Sequence, residues 1–509
     1  MGESKLNSNK RSSAGLDRTD FMRIVVNGFG DPQNSYVHSM AWYKDHVYMG
    51  TSRHILALLK LFPPPDGASM DPWPVNVPDR VEDLDLRAQI WRWDPASGGF
   101  EHLHTSPDII GRNGKEVPRD LGYRGMVVFQ GRSDPEPALY VSTVSSVSRG
   151  TGARVLRSSE GLKFDPVSEP GLGNPNISTF RSLVAFDGHL YAAPAGEGKT
   201  WNTTKAPKIF RCADPLHKEW ELACEPGFGD PNNTGIFELA VFDDHLYAGT
   251  FNHIEGYQVW KTPATGDAPC RWTKALGHGA YRGSLNEMAM SLCAFKDAIY
   301  VGSGIQNGGY DRWNIIGPAA GEVVRIYPDN SWDLVVGTPR QTPEGMRYPL
   351  SGMGPGFDNV FAGYKWRMGV HDGWIYLSTF DWSVFLPYAT RVEGLYKDLM
   401  RGFGADHLIR MGGGFELWRS EDGIQWVPVT RNGMGNPYNY GARTFLSSPY
   451  GFLLGTANPF GPEVAVKTAT GWKYIPNPDG GAEVWLGRKR RRPSEELVSE
   501  PAASTGVKG

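Results

Sequence analysis

Short apolar runs alternate with polar turns along this chain, and the alternation recurs as a unit. The clearest example is residues 237–250, FELAVFDDHLYAGT, where an apolar run, a polar turn and a second apolar run follow one another. A glycine-rich phrase precedes such units. The phrases begin at Gly28 (GFGDPQN), Gly171 (GLGNPN), Gly227 (GFGDPNN), Gly433 (GMGNP) and, more weakly, Gly277 (GHGAYRG). A repeat of this length sets the architecture before any single residue is interpreted.

Each unit predicts four β-strands. In the unit that begins at Gly235 the strands are IFELAVF, LYAGT, YQVWKT and RWTKAL. These runs are rich in β-branched and aromatic residues and are bounded by Gly, Asp, Asn and Pro, which is typical of strands. Four antiparallel strands per repeat indicate a blade of a β-propeller. A helical solenoid would need apolar residues at helical spacing, which these segments lack.

Counting the second strands predicts seven blades. The chain ends after a third strand at residues 483–487 and starts with MRIVVN at residues 22–27, which has the pattern of a fourth strand. We therefore expect an all-β fold: a single seven-bladed β-propeller over residues 19–487, closed by the N-terminal strand that completes the last blade. Residues 1–18 and 488–509 are expected to be disordered tails. The second strands begin at Val47, Leu139, Leu190, Leu246, Ile299, Ile375 and Phe452.

Two turns between third and fourth strands share a motif. Residues 420–426 read SEDGIQW and residues 158–164 read SSEGLKF. These segments resemble the Asp-box turn, S-x-D-x-G-x-x-W, of Asp-box-containing (sialidase-like or kelch-like) β-propellers. The resemblance implies the propeller fold, because Asp and Gly make the turn and the aromatic residue packs between blades. It implies no function, since Asp boxes are structural.

Composition narrows the class of protein. The net charge of −3 gives no general attraction to nucleic acid or to acidic membranes. The apolar runs are too short to cross a bilayer, and the polar N-terminus lacks the apolar part of a signal peptide, so we expect a cytoplasmic protein. The four cysteines are few and irregularly spaced, as in reduced proteins. The basic run at residues 488–492 is either a targeting signal or a contact to phosphate groups; the alternative is that it belongs to a solvated tail.

Long loops are expected on one face of the fold. Five of the seven connections between second and third strands carry insertions, and the insertion of the sixth blade contains a helix predicted at residues 392–401. Long loops on a rigid frame usually bind something, so a small molecule or glycan is expected on this face. The alternative is that the loops cover the channel and one another. The oligomeric state is left open.

The first strand of each blade should line the central channel. Aligning these strands puts His38, Arg124, Arg181 and Arg443 at one position, with Phe237, Met290 and Trp366 in the other blades. The next position includes Glu238 and Arg367. Successive strand residues alternate in direction, so only one set is expected to face a ligand at a given height. Three arginines at one position suggest an anion site. The alternative is that each arginine pairs with a carboxylate or backbone group of a neighbouring blade.

A second ring of polar residues follows the second strands. Asn252, Asp381 and Asn458 occupy one offset, and His54 and His253 lie close by. Amides, carboxylates and aromatic planes around a channel mouth suit a sugar-like or otherwise polar ligand. The aromatic residues of these loops could equally pack the insertions together. They are Trp201, Tyr257, Tyr310, Trp313 and Trp382.

The candidate acid/base groups are Asp381, His54, His253 and Glu238, with Glu255 and Glu287 as further carboxylates.

We carry three hypotheses for the function. The first is a hydrolase or lyase acting on an anionic small molecule or acidic sugar, which the arginines, His38, Arg367, Asn252, Asn458 and the aromatic residues would bind. The second is a non-catalytic protein-binding scaffold, which predicts a flat face without convergent acid/base groups. The third is a metal-dependent enzyme with axial histidines; no cofactor is predicted, and a divalent metal stays open.

Overall fold

The structure, a computed structural model, describes residues 14–64, 69–146, 149–198, 200–311, 314–390 and 394–489. Most of both predicted tails lies outside the described residues. The described chain contacts the domain before residue 19, because Leu16 is buried and its backbone N–H donates to the Tyr376 hydroxyl at 2.8 Å. At the other end, Lys489 Nζ lies 2.6 Å from a carboxylate oxygen of Asp20.

Strands dominate the described chain, which confirms the predicted all-β class. In chain order they are β1 (Phe21–Val25), β2 (Asn34–Tyr43), β3 (His46–Arg53), β4 (Gln89–Trp93), β5 (Phe100–Thr105), β6 (Asp108–Ile110), β7 (Glu116–Pro118), β8 (Gly122–Phe129), β9 (Ala138–Val144), β10 (Val155–Ser158), β11 (Asp165–Pro166), β12 (Ile177–Phe186), β13 (His189–Glu197), β14 (Phe210–Cys212), β15 (Glu221–Leu222), β16 (Gly235–Phe242), β17 (His245–Phe251), β18 (Val259–Thr262), β19 (Thr273–Leu276), β20 (Met288–Phe295), β21 (Ala298–Gly304), β22 (Val323–Ile326), β23 (Trp332–Val336), β24 (Arg340–Thr342), β25 (Gly345–Arg347), β26 (Ala362–His371), β27 (Trp374–Asp381), β28 (Leu417–Ser420), β29 (Val427–Thr430), β30 (Gly441–Ser448), β31 (Gly451–Ala457), β32 (Glu463–Thr468), β33 (Gly471–Pro476) and β34 (Val484–Gly487).

Antiparallel pairing sorts most of these strands into groups of four. The first six groups are β2–β5, β8–β11, β12–β15, β16–β19, β20–β23 and β26–β29. The seventh group runs β30, β31, β34 and β1, and Phe21 pairs with Gly487. The predicted pairing of the N-terminal strand with the last third strand is therefore confirmed. Three separate hairpins, β6–β7, β24–β25 and β32–β33, lie outside the groups.

Single residue pairs join the second strand of one group to the first strand of the next at six of the seven junctions, and no such pair among the described residues joins the third group to the fourth. Ser52 pairs with Gly122, Val144 with Thr179, Phe251 with Met288, Gly304 with Tyr364, Phe380 with Gly441, and Ala457 with Tyr36. The last of these pairs joins the seventh group to the first. Apolar side chains fill the space between neighbouring groups, as where Tyr300 of β21 packs with Trp418 of β28.

The few helices lie in the connections. They are α1 (Ile55–Leu61), α2 (His278–Tyr281), α3 (Gln306–Gly309), α4 (Gly394–Phe403) and α5 (Ala405–Gly412). The helix predicted at residues 392–401 corresponds to α4, and the sequence analysis did not separate α5 from it. Among the described residues, no helix is long and apolar enough to cross a membrane.

The first strand of every group carries an extra residue at the same position of its ladder, and β2 and β26 carry a second one nearer their start. In the first group, Val37 pairs with Thr51 and Ser39 with Gly50, so His38 has no partner in the ladder. A β-bulge of this kind bends the strand and re-aims a side chain. We call the skipped residues the bulge residues; they are His38, Arg124, Arg181, Phe237, Met290, Trp366 and Arg443.

A buried asparagine holds the recurring glycine phrase. In the seventh group, Asn439 Nδ2 donates to the Gly433 carbonyl at 3.0 Å and to Glu483 Oε2 at 2.8 Å. Glu483 also accepts from the Trp485 indole N–H at 2.9 Å. Gly433 and the following residue both have positive φ, so the phrase needs a glycine at this point. We call this arrangement the asparagine bridge.

The asparagine bridge and its aromatic contact repeat. Asn233 Nδ2 donates to Gly227 O and to Gln258 Oε1, each at 2.9 Å. Trp260 donates to the same Gln258 oxygen and stacks on Phe228 of the phrase, with ring centroids 4.9 Å apart. In the first, fourth, fifth and seventh groups the recurring phrase is thus explained by structure, because the asparagine ties the entry of the group to its own third strand. The phrase at Gly171 has Ile177 in place of the asparagine.

The motif at residues 420–426 forms the expected turn. Asp422 Oδ1 accepts from the backbone N–H groups of Ile424 and Gln425, each at 2.8 Å. Ser420 Oγ accepts from the Gly423 N–H at 2.8 Å. Trp426 is buried beside Phe357, so the aromatic residue of the motif packs in the core.

Replacing Asn439 by Ala should destabilise the fold. The change removes two buried hydrogen bonds, of which the one to the Glu483 carboxylate is charge-assisted, and each such bond contributes about 0.5–3 kcal/mol. We expect the free energy of unfolding, measured in urea, to fall by about 3 kcal/mol with an unchanged dependence on denaturant. Asn432→Ala, at the exposed position just before the same phrase, is the control; it loses one hydrogen bond from the Thr430 hydroxyl and should change the stability much less. A similar effect in both variants would contradict the structural role of the bridge.

Lys365 of β26 is a buried cation without a hydrogen-bond partner among the described residues. Its Nζ lies 4.7 Å from the centroid of the Phe357 ring. Burial lowers the pKa of Lys365 to about 7, from an ordinary value of 10.5. The unfolded chain therefore binds more protons than the folded chain between about pH 7 and 10.5. The buried charge therefore lowers the free energy of unfolding by its full amount below pH 7. This loss of stability disappears as the pH rises from about 7 to 10.5.

Lys365→Met should accordingly stabilise the protein most at low pH. We expect a gain of about 2–4 kcal/mol in the free energy of unfolding at pH 6.5, because one pKa unit is worth about 1.4 kcal/mol. The gain should shrink steadily as the pH is raised to 9.5. Lys397→Met, at an exposed position of α4, serves as the control. A gain that does not depend on pH would mean that packing, and not charge, is responsible.

Candidate functional site

All seven bulge residues line one cavity of about 1230 Å³. Four residues that lie two positions earlier in their strands line it as well: Tyr36, Thr179, Met288 and Tyr364. Two residues span about 6.6 Å along a strand. The residues that follow the bulge, such as Ser182 and Glu238, are outside the lining. The bulge residues therefore form the inner end of the cavity, and the loops form its mouth.

The inner end has a polar side and an apolar side. The seventh, first, second and third groups contribute Arg443, His38, Arg124 and Arg181, which we call the polar arc. The fourth to sixth groups contribute Phe237, Met290 and Trp366, which we call the apolar arc. The sequence alignment had put these seven residues at one position, and the structure brings them to one layer of the cavity.

One amide organises two of the arginines. Asn202 Oδ1 accepts from Arg181 Nη1 at 2.8 Å and from Arg124 Nη2 at 3.3 Å. Arg124 also donates to Thr179 Oγ1 at 3.3 Å, and the Arg181 guanidinium lies 3.7 Å from the centroid of the Phe237 ring. These are neutral partners, so they orient the guanidinium groups and leave their charges uncompensated.

Arg443 is the least satisfied of the three arginines. It is 7% exposed and has no hydrogen bond or ion pair within the described part of the chain. Its guanidinium lies 5.6 Å from the centroid of the Trp366 ring, on the apolar arc. The described lining of the cavity contains no Asp or Glu side chain. The carboxylate part of the alternative, in which the arginines pair with acidic side chains, therefore does not describe this cavity. Its backbone part holds for Arg181, whose Nε donates to the Phe237 carbonyl of the neighbouring group at 3.5 Å.

Burial and mutual repulsion disfavour these charges. Burial lowers the pKa of Arg181 to about 9, and the nearby Arg443 adds to the effect. Burial lowers the pKa of Arg443 to about 10, with a further contribution from Arg367. The pKa of Arg124 is held well below its ordinary value by burial and by the other two arginines. Because arginine stays protonated in proteins, the lowered values express how costly the cations are without a counter-ion.

Two predicted site residues neutralise each other next to this layer. Glu238 Oε2 accepts from Arg367 Nη1 at 3.0 Å, and Glu238 Oε1 accepts from Ser182 Oγ at 3.1 Å. The ion pair joins the fourth group to the sixth. Neither Glu238, predicted as catalytic, nor Arg367, predicted to bind substrate, lines the cavity.

Among the four polar-arc residues, His38 is the one whose side chain is suited to transfer a proton. Its Nδ1 lies 2.6 Å from Ser52 Oγ, and both residues line the cavity. Burial, followed by the charges of Arg443, Arg124 and Arg181, lowers the pKa of His38 well below 6.5. The imidazole is therefore neutral at neutral pH. Beside it, the hydroxyls of Tyr36 and Tyr440 share a short hydrogen bond, and burial raises the pKa of Tyr36 to about 12.

The walls and mouth of the cavity are mostly apolar and aromatic. The insertions that form the mouth bind one another: the Tyr388 hydroxyl donates to Ala465 O at 2.9 Å, and the Trp201 indole donates to Phe62 O at 3.2 Å. The loops thus cover one another and also enclose the cavity. Aromatic lining residues beyond the bulge layer include Phe62, Trp73, Trp201, Phe251, Tyr310, Tyr364, Phe380, Trp382, Phe385, Tyr396 and Tyr440.

Two other predicted acid/base residues lie outside the cavity lining. Asp381 is fully buried and accepts from the N–H and hydroxyl of Ser383. Burial raises the pKa of Asp381 to about 7. His54 is buried at the start of α1 with a positive φ, and burial lowers its pKa to about 4. His253 does line the cavity, so only one of the four predicted acid/base residues reaches it.

The predicted polar ring is largely structural. Asn252 and Asn458 are fully buried and extend the asparagine bridges, each donating at 3.2 Å to the side-chain oxygen of Asn233 or Asn439. Asp381 has the same offset, but its group has Ala362, six residues after Gly356, where the first, fourth, fifth and seventh groups have the bridging asparagine. Tyr257 is buried in the core outside the lining, and Trp382 is in the lining. Trp313 lies outside the described residues.

A metal site finds no support among the residues that the structure describes, since no group of three His, Cys, Asp or Glu side chains could hold an ion. The four cysteines, Cys212, Cys224, Cys270 and Cys293, are free thiols. The sequence analysis missed Ser52, Asn202, Tyr36 and Tyr440 as lining residues. Tyr36 could have been predicted, because it lies two residues before His38 on the same strand and so on the same side. Asn202 could not, because it lies in a loop whose path the sequence does not reveal.

No protein-family model and no curated protein matches this chain. The similar solved structures are remote. A puromycin-hydrolyzing peptidase of Mycobacterium tuberculosis has 12% identity and a TM-score of 0.42, over 88% of this chain and 53% of that one. The chain thus matches about half the length of the peptidase.

Two carbohydrate-active enzymes show similarly weak likeness. The GH93 α-L-arabinofuranosidase of Fusarium graminearum has 10% identity and a TM-score of 0.36, over 69% of this chain and 89% of that one. The GH74 enzyme of Niastella koreensis has 11% identity and a TM-score of 0.39, over 91% of this chain and 68% of that one. Similarity at this level assigns no activity to this chain.

Arg443→Met should stabilise the protein in the absence of a bound anion. The substitution removes one of three uncompensated buried cations and keeps an apolar contact with Trp366, so we expect a gain of about 1–4 kcal/mol in the free energy of unfolding. The measurement is urea unfolding at pH 7.5 in a buffer free of phosphate and sulfate. Arg80→Met, at a side chain that is 70% exposed, is the control. A loss of stability would mean that Arg443 is already compensated.

Proposed function

We propose that this protein binds an organic anion with a large apolar part in the cavity between its long loops. The observation that carries the proposal is the set of three buried guanidinium groups at the inner end of a cavity whose described lining holds no carboxylate. Buried cations are normally paired, and an arginine fork suits carboxylate, sulfate or phosphate oxygens. The missing partner is then the ligand itself.

The cavity walls indicate the rest of the ligand. A cavity of about 1230 Å³ is larger than a small inorganic ion needs, and its walls are rich in tryptophan, tyrosine and phenylalanine. Such walls favour an aromatic or otherwise apolar body, or the apolar face of a sugar. This favours a small-molecule ligand over the protein-binding scaffold hypothesis, which requires a flat face.

We also propose that the seven groups form one closed seven-bladed β-propeller over residues 19–487. Support comes from the residue pairs that join successive groups, from the Ala457–Tyr36 pair between the seventh and first groups, and from the pairing of β1 with β34. The Glu238–Arg367 ion pair adds to this support, because it joins two groups that share no strand pairing.

One contact favours hydrolysis as a second candidate function. Ser52 Oγ lies 2.6 Å from His38 Nδ1 in the cavity lining, which is the reach a nucleophile and its base require. The adjacent arginines would stabilise negative charge that develops on the substrate. Hydrolysis by a pair of carboxylates has no matching groups in the described lining. An elimination with His38 or His253 as the base is the lyase-type alternative.

Anion binding should be measurable with matched naphthalene compounds. We expect 1-naphthyl sulfate and 1-naphthoate to bind in isothermal titration calorimetry, and neutral 1-naphthol to bind at least tenfold more weakly, which corresponds to about 1.4 kcal/mol. Arg181→Gln should lower the affinity for both anions, and Arg80→Gln should not. Equal binding of 1-naphthol, or unchanged affinity in Arg181→Gln, would contradict the proposal.

The hydrolytic role has a separate test. Wild-type protein is incubated with 4-methylumbelliferyl phosphate, sulfate and β-glucuronide, and release of the fluorophore is followed. Ser52→Ala should reduce release by at least about 100-fold while 1-naphthyl sulfate still binds. No release by the wild type, together with intact anion binding, would leave a binding protein without this activity.

A further inference from the structure

The three arginines at the inner end of the cavity carry more positive charge than a ligand with a single negative charge can balance. Arg124, Arg181 and Arg443 each contribute one positive charge, and none has a carboxylate partner within the described residues. The nearest carboxylate in the neighbouring layer, Glu238, is taken by Arg367 at 3.0 Å. A ligand with one negative charge would therefore leave two buried cations uncompensated, at a cost that proteins avoid.

The spread of the arginines suits a group with more than two acceptor oxygens. They extend from three different strands, β8, β12 and β30, and Asn202 orients two of them. Because His38 stands between Arg443 and Arg124 along the polar arc, the donors are distributed over four adjacent groups and do not share one strand. A planar carboxylate presents two oxygens in one plane, whereas a phosphoryl group presents three oxygens at tetrahedral angles.

The apolar arc indicates that this group is esterified. Phe237, Met290 and Trp366 lie at the same depth as the arginines, and aromatic walls rise from them toward the mouth. An inorganic ion would leave this surface unused. We propose that the ligand is a phosphate monoester of an aromatic or apolar molecule, bound as the dianion. This inference rests on the proposed anion-binding function and narrows its substrate class.

The experiment compares three anions on one carrier: 1-naphthyl phosphate, 1-naphthyl sulfate and 1-naphthoate. The sulfate has the tetrahedral shape with one charge, and the carboxylate is planar with one charge. At pH 8, calorimetry should give an affinity for the phosphate at least tenfold higher than for either of the others. At pH 5 the phosphate carries one charge, since its second pKa is about 6, and its advantage should disappear. Inorganic phosphate should bind at least tenfold more weakly than the ester.

Variants test whether the preference for phosphate depends on the positive charge of Arg443. Arg443→Gln should reduce the preference for phosphate over sulfate at pH 8, while Arg80→Gln, at an exposed site, should leave it intact. Both variants are first checked for a single cooperative unfolding transition.

Each outcome is decisive. Sulfate or carboxylate binding as tightly as phosphate at pH 8 would overturn the dianion and leave anion binding standing. Inorganic phosphate binding as tightly as the ester would overturn the apolar carrier. Failure of all three naphthyl anions to bind would overturn the proposed function itself.

Discussion

A β-bulge at the same position in the first strand of each group marks where the chemistry of this molecule lies. Strict alternation puts His38 on the same side as Tyr36, two positions earlier, and both side chains line the cavity; the bulge at His38 then shifts the ladder by one residue. The seven bulge residues, which differ in character, meet in one layer of the cavity, and the residues that follow them form the Glu238–Arg367 layer beside it. Asparagine bridges tie the start of the first, fourth, fifth and seventh groups to the third strands of those groups.

The asparagine bridges and the polar arc treat buried polar groups in opposite ways. In the bridges, Asn439 and Glu483 are buried and their polar atoms are satisfied by one another and by neighbouring groups. In the cavity, Arg443 is buried without any such partner, and burial lowers its pKa. Lys365 is an unpartnered buried cation too, but it lies outside the cavity lining, whereas the strain of the arginines lies where a ligand can relieve it.

The sequence alone was enough to predict the strands, but it did not predict the contacts between them. Repeated runs such as LYAGT gave the strands, and the N-terminal run gave the pairing of β1 with β34, because these depend on local composition and on the count of units. The arginines were found because they share one position in a repeat. The polar residues after the second strands were not placed well, because Asp381 and Asn252 look like site residues in sequence. Their buried partners show that Asn252 extends an asparagine bridge and that Asp381 accepts a hydrogen bond from Ser383. Ser52 and Asn202 could not be recognised, since their roles depend on a bulge and on a loop path.

The seventh group is assembled from both ends of the chain, with β1 from the start and β30, β31 and β34 from the end. During synthesis on a ribosome, some 460 residues follow β1 before its strand partner β34 is made. Until then the backbone N–H and C=O groups of β1 have no partner strand in the described part of the chain. A nascent chain cut short before residue 484 therefore cannot complete the seventh group.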